Sequence, residues 1–387
     1  MHAMSTSLSD RALLRRLVGF DTTSVNSNAA LADFICEYLE GDGARIERHP
    51  CDDPGKVNLL VMAGPEPADD SGLLLSGHMD VVPAMEPEWE SDPFELTERG
   101  GSMYGRGSCD MKGFDALAIN LFRSIDRAAL TRPLGLLLTC DEELGTVGAQ
   151  HFANHWPEDR PLPKSVLVGE PTSLRAVRMH KGHVTMRIEL TGVSAHSGSP
   201  HLGLNAIEPA ARIIMLLKDF REELQEQRTD TSPYFPEVPY PVLNVATIEG
   251  GTADNIVPDR CVIHLGIRLL PGQVSAGPVQ RVCEAVETVM RGRAFEVEVL
   301  NESPPLLLDE RAEVYRALCG LVGQTQTFGV TYASDAGPFQ QTLGMECVLF
   351  GPGTIDVAHK PNEHLPIGEW ERAGPIIESL VRRMCMS

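Results

Sequence analysis

The sequence predicts an α/β protein in which a helix-covered sheet is interrupted by an inserted, ferredoxin-like α+β module. Three observations predict it. Apolar, strand-like runs alternate with helical patterns through the first 180 or so residues, the pattern of a sheet covered on both faces. Near residue 180 the order changes to β-α-β-β-α-β, a two-layer module. Alternation then resumes at about Arg311, which makes the first domain discontinuous.

Taken in order, Leu8–Val18 repeats apolar residues at helical spacing behind Ser7 and Ser9, either of which suits a helix cap. A second helix is expected over Asn28–Glu40, ending near Gly41 and Gly43. Strands are expected at Val57–Ala63, Gly72–Ser76, Leu134–Thr139 and Ser165–Val168, with a helix over Gly113–Ala128. In the module, His183–Leu190 alternates as a strand, Asn205–Glu226 is helical and Pro233–Pro241 is a loop. Strands at Val242–Ile248 and Asp259–Leu269, a helix over Pro278–Arg291 and a strand at Phe295–Leu300 complete it. The last elements are a strand at Glu346–Phe350 and a helix over Glu369–Met384. The expected division is 1–180 with 303–387 for the sheet domain and 181–302 for the insert.

Composition narrows the classes of function. A chain of 387 residues is too long for one typical core. The formal net charge of −21 disfavours nucleic acid and anionic membrane as partners, because both attract basic patches. No apolar run is long enough for a membrane span. The first twenty residues lack the basic start, apolar centre and cleavage site of a signal peptide, and Met4 offers a second start. Nine scattered cysteines without a C-x-x-C pair point to reduced thiols in a cytoplasm.

Five stretches carry histidines or carboxylates in a Gly, Ser or Pro context after apolar runs. They are SGHMD (His78, Asp80), GRGSCDMKG (Asp110), TCDEELGTVGA (Glu142, Glu143), LVGEPTS (Glu170) and VAHKPNEH (His359). In an α/β sheet, ligands bind beyond the carboxyl ends of the strands. Singly, each stretch has an ordinary reading: a structural histidine, a solvated acidic turn, a helix cap, turn chemistry before Pro171, a surface loop. Together, two histidines and three carboxylates suit a pair of zinc ions sharing one carboxylate. Two Zn²⁺ against Asp110, Glu143, Glu170 and one hydroxide sum to zero charge, which a buried site tolerates. Adjacent Glu142 and Glu143 point different ways, so one can bind metal while the other handles a water proton.

In this order and context the stretches resemble the dinuclear zinc aminoacylase and carboxypeptidase superfamily. The resemblance covers essentially the whole chain, including SAHSG, GGTADNIVP and IRLLPG in the insert, FDTTSVNSN near the start and the block from Ser334 to Leu365. It implies a zinc-peptidase-like catalytic domain with a central mixed sheet, and an inserted dimerisation and lid domain that joins two copies. It implies two divalent metals, zinc first, with cobalt or manganese acceptable. By the resemblance, His78 and Glu170 bind one metal, Glu143 and His359 the other, and Asp110 bridges. Asp80 orients His78, Glu142 is the general base, and the Asp110–Met111 peptide is cis. His196 from the partner subunit steadies the oxyanion, while Arg268 and Asn255 contact substrate. The implied reaction is hydrolysis of an Nα-acyl amino acid, N2-acetyl-L-ornithine foremost, in arginine biosynthesis. Succinyl-diaminopimelate, broader N-acyl amino acids or dipeptides are the alternative substrates. Asp335 is a candidate lining for an ornithine ammonium. A non-catalytic scaffold would have lost ligands or base, and here all are present.

Overall fold

The structure, a computed structural model, describes residues 7–41 and 43–386. The reading of Met4 as a second start lies outside the described residues. The chain divides into a larger unit, residues 1–179, 308–328 and 334–387, and a smaller one, 180–307 with 329–333.

Along the chain come α1 (Asp10–Val18), α2 (Ala29–Leu39), β1 (Arg45–Pro50), β2 (Val57–Ala63), β3 (Leu73–His78), β4 (Thr97–Arg99) and β5 (Ser102–Tyr104). Then follow α3 (Lys112–Ser124), β6 (Leu134–Thr139), α4 (Val147–His155), β7 (Ser165–Val168) and β8 (Val177–His180). The smaller unit contains β9 (Gly182–Thr191), α5 (Ile207–Glu226), β10 (Val242–Gly250), β11 (Arg260–Leu269), α6 (Ala276–Met290) and β12 (Phe295–Ser303). Short strands β13 (Leu306–Leu307) and β14 (Phe328–Val330) fall where the chain passes between units. The larger unit ends with α7 (Glu313–Val322), α8 (Ala336–Leu343), β15 (Glu346–Leu349), β16 (His364–Pro366) and α9 (Ile367–Cys385).

The main sheet of the larger unit runs β1-β2-β6-β3-β7-β15-β8. It is mixed: β6, β3, β7 and β15 are mutually parallel neighbours, whereas β1 and β2 run antiparallel. Every residue of β2, β3, β6 and β7 is buried, as a sheet covered on both faces requires. Leu13, Leu17, Phe114, Phe122, Leu136, Val348 and Leu380 belong to one continuous core. Each such large side chain contributes about 1.5–3 kcal/mol on burial. The parallel register sets His78 beside Thr139 and Ser76 beside Val168, so β3, β6 and β7 release their chains along one edge. A small sheet, β16-β5-β4, brings the segment after His359 alongside the segment before Asp110.

The smaller unit is a four-stranded antiparallel sheet in the order β10-β11-β9-β12, with the β-α-β-β-α-β connectivity. Val184, Met186, Ile188 and Leu190 alternate inward from β9 and pack with Ile213, Leu217, Val282 and Val286. That is the period of two expected of a half-covered strand.

Several boundaries differ from the sequence reading. The third strand reaches His78 itself rather than stopping at Ser76. Ser9, not Ser7, caps α1, its hydroxyl accepting from the Ala12 N–H at 3.3 Å. Strand β1 and helix α4 are additional elements. The expected loop at 233–241 opens with a short turn of 3₁₀ helix, Ser232–Tyr234.

Candidate metal centre

The side chains singled out in the larger unit are delivered by strand ends and short turns. His78 is the last residue of β3. Gly77 before it has no room for a side chain: a Cβ there would lie 2.0 Å from Asp115 Oδ1. Asp110 precedes α3 through a cis Asp110–Met111 peptide, as the resemblance implies. Glu142 and Glu143 lie in a turn after β6 that Asp141 (φ 51°) and Gly145 (φ 96°) make possible. The Glu142 carbonyl accepts from the N–H groups of Gly145 and Thr146 there. Glu170 stands two residues beyond β7, and His359 sits at a left-handed position, φ 58°.

These groups converge. His78, Asp110 and Glu143 each offer a ligand atom, and the three atoms lie within 4.8 Å of one another. His78 Nε2 is 3.1 Å from Asp110 Oδ1. His359 Nε2 is 3.3 Å from Asp110 Oδ2 and 3.0 Å from Glu143. Asp110 therefore turns one oxygen to each histidine. Glu170 is buried close enough for its charge and that of Asp110 to act on each other.

The surrounding hydrogen bonds revise one expected role. His78 Nδ1 lies 2.9 Å from the main-chain oxygen of Asp80 and 3.6 Å from its carboxylate. The Asp80 carboxylate is mainly occupied elsewhere. It accepts from the N–H of Glu142 (3.0 Å), the N–H of Glu143 (3.2 Å) and the Ser24 hydroxyl (2.7 Å). The residue thus orients the imidazole through its backbone and the acidic turn through its side chain.

Sequence reasoning missed Glu363. It is 1% exposed. One of its oxygens accepts from the N–H groups of Cys109 (2.9 Å) and Asp110 (3.0 Å). The other accepts from the Gly107 N–H (2.9 Å) and Arg106 Nη1 (2.9 Å). The available signal was its place in VAHKPNEH, four residues after His359.

Electrostatics identify what the cluster lacks. Burial, then the charge of Asp110, lifts Glu143 to about 7. Burial lifts Glu142 and Glu170 well above the usual carboxyl range, helped by Glu170 and Asp110 respectively. Burial opposes ionisation of Asp110, yet the hydrogen bonds of His359 and His78 hold it below its usual value. His359 is raised to about 10 by its bonds to Asp110 and Glu143. Among the described residues, no lysine or arginine pairs with Glu142, Glu143 or Glu170. Without metal, the protons held by His359 and His78 are the only charges set against these carboxylates among the described residues, and converging oxygens and imidazoles of this kind form a donor set that fits divalent metal.

The remaining candidates lie elsewhere. His196, Asn255 and Arg268 belong to the smaller unit. There His196 forms a bridge with Ile256, and the Ser197 N–H donates to the Asn255 carbonyl at 2.9 Å. Arg268 is opposite His183 on β9, and its charge acts on His180, Lys181 and His183. Asp335, in the larger unit, is buried behind Thr139, whose hydroxyl donates to it at 2.5 Å.

Known proteins resemble this chain in sequence and in fold. Residues 74–383 match the model of Peptidase family M20/M25/M40. The acetylornithine deacetylase of Proteus mirabilis (strain HI4320) is 38% identical over 375 residues, 95% of this chain and 93% of that one. An M20 family metallo-carboxypeptidase from Sulfolobus solfataricus superposes with a TM-score of 0.76 at 20% identity, covering 97% and 99% of the two chains. A dinuclear metal binding peptidase of the M20 family from Bacillus subtilis does so with a TM-score of 0.63 at 14% identity, covering 96% of each. At those identities the superpositions speak for the fold.

Proposed function

Because the chain belongs to peptidase family M20/M25/M40, we propose that its metal-dependent amide hydrolysis converts N2-acetyl-L-ornithine and water into L-ornithine and acetate. The observation that carries the dinuclear reading is Asp110, with Oδ1 toward His78 and Oδ2 toward His359. His78 and Glu170 would hold one divalent ion, Glu143 and His359 a second, and Asp110 both. Zinc is the first choice, and cobalt or manganese would accept the same donors. Such ions supply Lewis acidity and lower the pKa of water to about 7. Glu142 takes a proton from the attacking water and returns it to the departing α-amine. The resemblance supports His196 of the partner subunit as the oxyanion donor, Arg268 as a fork for the substrate α-carboxylate and Asn255 as a further contact.

The same reading takes the protein to be a cytoplasmic homodimer in arginine biosynthesis. All nine cysteines are free, which suits a reducing compartment. No helix among the described residues is long and apolar enough to cross a membrane. In the smaller unit, β10 and β12 are sheet edges bearing exposed Ile248, Val299 and Leu300, which suits pairing with a second copy. Sedimentation should therefore report two chains of 42.2 kDa; a monomer at micromolar concentration would overturn the assembly.

The substrate is tested by amine release from a panel of N-acyl amino acids with zinc or cobalt present. Acetylornithine should have the highest kcat/KM. A preference for succinyl-diaminopimelate would overturn the substrate and leave the hydrolysis standing.

A further inference from the structure

We infer that Glu363 is a positioning residue for the metal centre: its carboxylate fixes the loop that presents Asp110 against the loop that presents His359. The inference rests on the dinuclear reading above.

Glu363 closes a ring of donors. Four consecutive residues, Arg106 to Cys109, and Asp110 after them form a turn whose N–H groups at Gly107, Cys109 and Asp110 point at one carboxylate. Arg106 Nη1 completes the set at 2.9 Å, and it too is 1% exposed. Both oxygens are used twice, so each edge of the carboxylate holds a different part of the turn. The backbone adds a tie in the other direction, the Gly105 N–H donating to the Glu363 carbonyl at 3.1 Å. Arg106 Nη2 also donates to the carbonyl of Pro83, 3.0 Å away, on the segment that follows His78 and Asp80. Three ligand-bearing segments are therefore fastened at one buried carboxylate, 253 residues from the Asp110 N–H it accepts. The turn cannot easily shift to compensate. Gly107 has φ +76°, and a Cβ there would meet Val81 Cγ1 at 2.6 Å.

A plainer role for the same residue is the neutralisation of buried Arg106. The two roles make different demands on the side chain. Neutralising Arg106 needs one charge. Holding the turn needs acceptors on both edges. Glutamine has the shape of glutamate but carries an NH₂ on one edge, which must face N–H groups and push them away. Since Arg106 and the Gly107 N–H claim the remaining oxygen, the displaced edge is the one at Cys109 and Asp110.

The test is metal binding to the full-length protein, stripped and then titrated with cobalt. Glu363→Gln should weaken cobalt binding roughly 10- to 100-fold, the range for lost outer partners of a metal ligand. Its cobalt absorption bands should shift, because Asp110 would meet the metal at a different angle. The double variant Arg106→Met with Glu363→Gln removes the charge problem and should not recover the affinity. Should Glu363→Gln fail to fold, as judged by metal-free thermal unfolding, Glu363→Asp is the substitute. It keeps the charge but withdraws the acceptors by one methylene, and it should show the same loss. Wild-type affinity and bands in a folded variant, or full recovery in the double variant, would overturn the positioning role. A wild-type protein that takes up no cobalt would instead overturn the dinuclear centre.

Discussion

At the scale of single residues, the centre is a matter of which oxygen faces which nitrogen. Asp110 divides its two oxygens between His78 and His359, and Glu143 meets His359 at 3.0 Å. Among the described residues none hydrogen-bonds the side chain of Glu142, its neighbour, which suits the proposed handling of a proton. Glu142→Ala should therefore retain both metals while turnover falls by about 10²- to 10⁴-fold; metal analysis beside steady-state kinetics checks it, and near-normal kcat would contradict the base assignment. The converging histidines and carboxylates were legible because each follows an apolar run and stands in a short Gly-, Ser- or Pro-containing motif. Their supports were not. The Asp80 carboxylate serves N–H groups 62 and 63 residues away, and Glu363 serves a turn some 250 residues away. Nothing local in a sequence announces an acceptor whose donors are distant backbone groups. An acid beside Asn362 reads as loop polarity until Glu363 itself is seen to be buried in a half-exposed loop.

At the scale of elements, the central strands were legible and the edges were not. Val57–Ala63 and Leu134–Thr139 are predominantly apolar runs, and both form as read. Strand β1 reads RIERHP, charged and ending in proline, as an edge strand can be while a buried one cannot. Helix α4 escaped because it is short and begins beside a glycine. That glycine has a packing reason: a Cβ on Gly148 would lie 2.0 Å from the Cys140 carbonyl, at the end of β6. Gly148→Ala should cost about 1–3 kcal/mol through overpacking and disturb the acidic turn. Gly320 in α7 faces open space, so Gly320→Ala should stabilise by about 0.5–1 kcal/mol. Urea midpoints of the two variants should move in opposite directions; parallel shifts would contradict the packing of α4 on β6.

At the scale of the whole molecule, the sequence reading placed an insert at 181–302, and the smaller compact unit comprises 180–307 with a return at 329–333. The return was invisible because five residues between an α7 and an α8 carry no periodicity of their own. The smaller unit also gives the protein an acid-sensitive component. His180 is fully buried with its Nε2 unpartnered, and burial, with the Arg268 charge, lowers its pKa from 6.5 to about 4. Burial and Arg268 lower His183 to about 4 as well. The unfolded chain then binds these protons first, so the contribution of the two histidines to stability is complete above pH 6.5 and declines as pH falls toward 4. For His180 the loss should approach about 3 kcal/mol. The raised carboxyls of the metal-free cluster act in the opposite direction, so the contribution is read as the difference between wild type and His180→Phe in denaturation at pH 7.5 and pH 5; an equal change with pH in the two proteins would contradict it. The most direct test of the dinuclear centre is anomalous X-ray scattering at the zinc edge from crystals grown in excess zinc. Two peaks about 3.5–4 Å apart, with the Asp110 carboxylate between them, are expected. A zinc-saturated crystal with no peak beside Asp110, or a single peak bound by His78 alone, would contradict it.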